Sequence, residues 1–136
     1  MTDTSTAEQK RLALKSGALL RQAAYIDGQW VDGSRTLEVF NPATRQLLGR
    51  IPALGAPETE RAVAAAQRAF ESWRRQSAAE RGAILQRWFE LILANQEDLA
   101  RLMTAEQGKP LSESRGEISY AASFIEWFAQ ESRRAY

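Results

Sequence analysis

The 136-residue chain contains no cysteine and no histidine. That removes from it a thiolate nucleophile, an imidazole base, a disulfide framework and any zinc site built on Cys or His. An excess of either charge is also missing. Eighteen Lys and Arg stand against 17 Asp and Glu, divided as 11 against 8 up to Gln76 and 7 against 9 beyond it. Such a balance leaves no basic face broad enough to hold a phosphate backbone by counterion release, so no nucleic-acid partner is expected. Long apolar runs are absent too: none exceeds five residues, and the candidate at residues 91–94 lies inside a charged segment, where a membrane helix needs roughly 20. Lys10, Arg11, Lys15 and Arg21 alternate with Asp3 and Glu8, and no apolar segment of signal type follows. The expectation is therefore no membrane contact and a cytoplasmic location. What is present, 44% hydrophobic and 26% charged residues, suits one soluble globular unit with a modest core.

Along the chain, residues 1–8 are polar and small, the composition of a frayed end. From Glu8 the spacing of Leu12, Leu14, Leu19 and Leu20 suggests a short helix interrupted near Ser16-Gly17. Residues 1–24 are thus read as a tail and short helix. In Tyr25-Ile26-Asp27-Gly28-Gln29-Trp30-Val31 an Asp-Gly pair lies between two aromatic-rich arms, the strongest local hairpin signal available. A second turn at Asp32-Gly33-Ser34 and strand-like runs at residues 37–40 and 46–51, around Asn41-Pro42, complete a small antiparallel β unit over residues 25–56.

Beyond Pro57, which fits a first helical turn, the period becomes helical, with Val63, Ala66, Phe70 and Trp73 as one stripe. Ser77-Ala78-Ala79-Glu80 has the form of a capping box. A long helix should follow it, burying Ile84, Leu85, Trp88, Leu91, Ile92, Leu99, Leu102 and Met103, with Asn95-Gln96 as a break point and Gly108 beside Pro110 as its end. Trp73, Trp88 and Phe89 are read as core. The last helix starts near Pro110 or Ser112 and carries two apolar stripes: Ile118, Ala121, Ala122, Ile125 and Phe128 on one side, and Tyr120, Phe124 and Trp127 on another. One core cannot bury both. Together with an end at Tyr136 that shows no stop signal, this reads as a cut through a longer protein. Residues 57–136 are expected to form an incomplete helical layer. The fold class is α+β and mainly helical, a β-hairpin unit followed by three helices.

Few constellations offer chemistry. Gly108-Lys109 fails as a phosphate-binding loop, because Met103 stands where the first glycine belongs and Pro110 where a hydroxyl belongs. Glu113 and Glu117, four apart, have the spacing of paired carboxylates, but with Arg115 between them and no histidine they read as a solvated charged face. The Tyr120, Phe124, Trp127 stripe is either core packing or the lining of an apolar pocket.

Four motifs carry a resemblance: Tyr25-Ile26-Asp27-Gly28-Gln29-Trp30; Phe40-Asn41-Pro42-Ala43-Thr44; the run from Met103 through Glu106-Gln107-Gly108-Lys109-Pro110 to Leu111; and residues 116–129, Gly-Glu-Ile-Ser-Tyr-Ala-Ala-Ser-Phe-Ile-Glu-Trp-Phe-Ala. Together they resemble the opening segment of an aldehyde dehydrogenase, and the last resembles the succinate-semialdehyde dehydrogenase and glutarate-semialdehyde branch of that family. The similarity runs from about residue 15 onward. It implies that the chain is part of the α/β aldehyde dehydrogenase fold, with the helical layer of residues 57–136 an incomplete piece of its dinucleotide-binding domain. The full-length parent would oxidise succinate semialdehyde to succinate with NAD or NADP, by a cysteine thiolate and a water-activating glutamate that lie later in the chain. For the segment itself the resemblance implies no catalytic residue and no cofactor-binding residue, hence no activity and no cofactor in isolation. Tyr120, Phe124 and Glu117 resemble positions bordering the aldehyde tunnel. The backbone of Val39 and Phe40 with Glu106 resembles a structural monovalent-cation site, beside the plain reading of a strand and a helix terminus. The expected partners are the remainder of the dehydrogenase chain or another copy of this one, with a homo-oligomer as the parent state. The alternative is a helical interaction module without enzymatic activity.

Overall fold

The computed structural model describes residues 12–134. The Asp27-Gly28 pair does what its chemistry dictates: both residues take the left-handed conformation, φ 53° and 76°, the requirement of a two-residue type I′ turn. The turn joins β1 (Ala24–Ile26) to β2 (Gln29–Val31), with Tyr25 opposite Trp30. Those two rings meet across the strands at 5.0 Å, and the Arg21 guanidinium lies 4.7 Å above the Trp30 ring. β3 (Thr36–Phe40) and β4 (Leu47–Pro52) form a second antiparallel ribbon with an irregularity at Val39/Phe40. The Asn41 side chain organises its turn by accepting the N–H groups of Ala43 at 2.9 Å and Thr44 at 3.0 Å, the local bonding that suits Asn to turns. The two ribbons are separate sheets.

Before the first ribbon, residues 12–16 are not helical, and only a 3₁₀ turn at Gly17–Leu19 forms. The expected N-terminal helix is corrected to this extent, and its Glu8–Arg11 portion lies outside the described residues. The Ser16-Gly17 interruption falls in the middle of a run too short to pass the nucleation cost of a helix.

Four helices follow. α1 (Ala56–Trp73) has Pro57 in its first turn, and the Glu58 carboxylate reaches back to the Gly55 N–H at 3.0 Å. α2 (Ala78–Ala94) opens on the expected capping box: Ser77 Oγ accepts the Glu80 N–H at 3.2 Å, and Glu80 accepts the Ser77 N–H at 2.7 Å. The anticipated long helix divides at Asn95, whose φ of −109° and ψ of 13° leave the helical region, so α3 (Gln96–Gln107) is a separate element. Four helices therefore stand where three were expected. Gly108, at φ 77°, closes α3 in the left-handed conformation that glycine tolerates best. α4 (Leu111–Glu131) starts directly after Pro110.

α4 packs along both α2 and α3, and small residues make the approach close. Ala100, Ala105, Ala122, Ala129 and Ser114 are buried. At Gly82 of α2 an added Cβ would stand 2.9 Å from the Ala129 carbonyl oxygen of α4 and 2.7 Å from Ser132 Oγ. Gly82→Ala tests that contact. Overpacking costs about 1–3 kcal/mol, against roughly 0.5–1 kcal/mol gained from helix propensity. A net loss in thermal unfolding is expected, and a more stable variant would show that the helices are free to part.

Burial departs from the periodicity. Leu85, Phe89, Ile92, Leu99, Leu102 and Met103 are half-buried. Trp88, by contrast, is 54% exposed, and Ile84, Leu91 and Trp73 are exposed with it. The reading of Trp73 and Trp88 as core is corrected. The physical reason is that α4 covers the Gly82 side of α2, while no described element covers the Ile84–Trp88–Leu91 side. α1 meets little but β1, which leaves Val63 and Phe70 exposed as well.

Candidate functional site

The two faces of α4 separate as their composition requires. Ser114, Ala122 and Ala129 are buried, with Ile118 and Ile125 half-buried beside them. Phe128 is 60% exposed and Ala121 is exposed, so neither belongs to the anchoring stripe in which it was expected: small side chains fill that close interface, and a phenyl ring does not fit there. On the outward face Tyr120, 67% exposed, stands edge-on to Phe124 with ring centroids 4.8 Å apart, the packing that four-residue spacing on a helix permits. Trp127 is exposed on the same helix. A groove of about 530 Å³ lies along Ser123, Phe124, Glu126, Trp127, Phe128 and Gln130. It contains one carboxylate and no cation. The geometry provides an apolar wall and no nucleophile.

Glu117 does not face that wall as a free acid. It is paired with Lys109, which ties the Gly108–Lys109–Pro110 corner to α4. Arg115 pairs with neither Glu113 nor Glu117. Its guanidinium grips Glu97 of α3 in a two-pronged contact at 2.7 and 2.9 Å, and Arg101 adds a bond at 3.0 Å. These cations, the Arg115 hydrogen bonds first, pull the Glu97 pKa down to about 2. Folding therefore favours the ionised form. The resulting stability is present above the ordinary carboxylate range near 4.5 and is lost as pH falls toward 2. Glu58 and Glu80 act in the same direction, held low by hydrogen bonds from Gly55 and Ser77. Arg115→Met should flatten the fall in unfolding midpoint between about pH 4.5 and 2. Denaturant titrations at several pH values measure this, and an unchanged acid limb would show that Glu97 gains nothing from Arg115.

The end of β3 and the end of α3 come together at one point: a Cβ on Gly108 would lie 2.9 Å from Pro42 Cγ. Val39 and Phe40 approach that point from the irregular end of the ribbon, and Glu106 stands two residues before Gly108, exposed. The described residues hold no cluster of three or more acidic side chains fit for a metal. A monovalent ion held by backbone carbonyls with one carboxylate is a different donor set, and the interrupted ladder at Val39/Phe40 is compatible with it. A dinucleotide is another matter. Both ribbons are antiparallel, so the described residues contain no parallel strand–helix–strand unit to aim a glycine turn and helix N-terminus at a pyrophosphate.

Several structural residues escaped the pattern. Asp98 is 4% exposed and accepts backbone N–H groups from Lys15 and Ser16. Ser114 is bonded to Thr104 at 2.8 Å between α3 and α4, and Gln96 bonds the Ser119 hydroxyl at 2.6 Å. Their only local signal is a polar residue on the apolar side of a helix.

The aldehyde dehydrogenase family model matches residues 30–136. The chain belongs to that family. It is 58% identical over 127 residues to 3-sulfolactaldehyde dehydrogenase of Pseudomonas putida, and 56% identical over 127 residues to glutarate-semialdehyde dehydrogenase of the same species. Each match covers 92% of this chain and 26% of the relative. Among solved structures, succinate-semialdehyde dehydrogenase from Burkholderia pseudomallei superposes with a TM-score of 0.89 at 55% identity, over 91% of this chain and 26% of that one. The chain thus spans about a quarter of the length of the aldehyde dehydrogenases it matches. No helix among the described residues is long and apolar enough to cross a membrane.

Proposed function

We propose that the chain is the N-terminal structural segment of an NAD(P)-dependent dehydrogenase that oxidises a short aldehyde carrying a terminal acid group, with succinate semialdehyde as the first candidate. One observation carries this reading: three relatives, each more than half identical across nine-tenths of the chain, are named for aldehydes that bear a carboxylate or a sulfonate. The segment's own part is to supply packed helices and, through Tyr120 and Phe124, one apolar wall of the aldehyde passage, with Glu117 holding the adjoining corner through Lys109. Carbonyls of Val39 and Phe40 with Glu106 would hold a monovalent cation beside the Pro42–Gly108 contact. The remainder of the dehydrogenase covers the exposed faces, brings the cysteine and the dinucleotide, and assembles as a cytoplasmic homo-oligomer.

Steady-state rates of the complete protein test the reading. With NAD and with NADP, kcat/KM for succinate semialdehyde should exceed that for butanal by about a hundredfold or more, since a site built for a polar group loses its partners when the group is missing. Equal constants for the two aldehydes overturn the substrate class. The 136-residue chain alone should form no reduced nicotinamide, because it has no thiol to attack a carbonyl.

A further inference from the structure

Neither ribbon packs broadly on the layer of α2, α3 and α4, and the ribbons do not pair with each other. Residues 14–22 run between these parts, without regular structure except for the 3₁₀ turn. One end of the segment is fastened in α3. Both carboxylate oxygens of buried Asp98 are used, one accepting the Lys15 N–H at 3.0 Å and the other the Ser16 N–H at 2.7 Å. A carboxylate is suited to this task because it presents two equivalent acceptors to two consecutive backbone donors, whereas an amide would turn one donor toward another. Its place in the first turn of α3 adds the favourable end of the helix dipole. The other end is fastened to the ribbons. Gln22 Oε1 accepts the Arg50 N–H of β4 at 2.7 Å, the same side chain lies over Gly49, 2.9 Å from where a Cβ would stand, and Arg21 covers Trp30 of β2.

We propose that residues 14–22 are a strap that couples both ribbons to the helical layer, with Asp98 as its anchor, so that releasing the anchor loosens β1, β2 and β4 while α2–α4 keeps its packing. The helical layer does not depend on the strap. Its interface rests on the Gly82–Ala129 approach, the Ser114–Thr104 bond and the Glu97–Arg115 pair. Among the described residues β1 also lies against α1, which meets little else and so does not tie it to α2–α4, and further links join ribbons to helices. The Arg68–Asp27 pair is 63% exposed on both sides and contributes little in water. The Pro42–Gly108 contact pins only the β3–β4 turn, which stays held when the strap lifts.

Hydrogen exchange read peptide by peptide on the complete protein distinguishes local release from loss of the core. In Asp98→Ala, amides of residues 24–31 and 47–52 should exchange about tenfold faster or more, with residues 82–128 within about twofold of the wild type. Unchanged ribbons, or equal acceleration of the helices, overturn the proposal. Should Asp98→Ala fail to fold, Gln22→Ala cuts the other end and leaves the Asp98 bonds in place. It should speed exchange in residues 47–52 and leave residues 96–107 unaffected, and no change in β4 refutes the coupling.

Discussion

The isolated 136-residue chain should sediment as an oligomer and bind a hydrophobic dye. Large apolar side chains lie uncovered on three helices: Val63 and Phe70 on α1, Ile84, Trp88 and Leu91 on α2, and Tyr120, Phe124, Trp127 and Phe128 on α4 are all exposed. Contiguous apolar patches of that kind are uncommon on soluble monomers and drive association when nothing covers them. The α4 face is the expected contact, since it concentrates four aromatic rings on one helix and aromatic anchors dominate interface energetics. Trp127→Glu should weaken self-association by about tenfold or more, with helical content unchanged. Sedimentation velocity across a hundredfold range of concentration measures this. A compact monomer that ignores the dye would mean that the exposed stripes need no partner, and the structural-segment reading would weaken with it.

What could be read along the chain was what neighbouring residues decide among themselves. The Asp27-Gly28 turn, the Ser77–Glu80 capping box, the break at Asn95 and the glycine stop at 108 are contests between a few backbone groups and one or two side chains. Their outcome is therefore the same in sequence and in structure. Trp88 shows where this stops working. Its spacing from Ile84 and Leu91 marks an apolar face correctly, but whether the face is buried depends on which element lies across it. Asp98 fails in the opposite direction. As an acid in a first turn it looks like a complement to the helix dipole, and nothing nearby announces that its partners are Lys15 and Ser16, more than 80 residues earlier. The pairing of Arg115 with Glu97 instead of Glu113 or Glu117 has the same origin, because the close approach of α3 to α4 offers a two-pronged contact that spacing along one helix cannot supply. For the candidate site, the aromatic stripe was legible from its spacing and its outward orientation from the conflict between two stripes. The resemblance alone connected it to an aldehyde.

Tyr120→Ala in the complete protein should leave the unfolding midpoint nearly unchanged and relax the choice among aldehydes. On this chain the ring is two-thirds exposed and stands against the edge of Phe124, so truncation removes about 0.5–1.5 kcal/mol of ring contact. A core aromatic of the same size would cost about 3–5 kcal/mol. If Tyr120 forms part of a passage wall, its removal opens room for a bulkier aldehyde, and the ratio of kcat/KM for succinate semialdehyde to that for a branched or aromatic aldehyde should fall by about tenfold or more. That range corresponds to the loss of one or two methylene equivalents of steric discrimination. Phe124→Ala, four residues along the same face, should act in the same direction, and the double variant should fall short of additivity because the two rings touch. Ile125→Ala is the control. It lies half-buried on the anchoring side of α4, so it should lower stability without moving the selectivity ratio. Thermal unfolding and two specificity constants on these four variants decide the matter. A large stability loss in Tyr120→Ala with an unaltered ratio would place the ring in the packed interior of the complete fold and remove it from the passage.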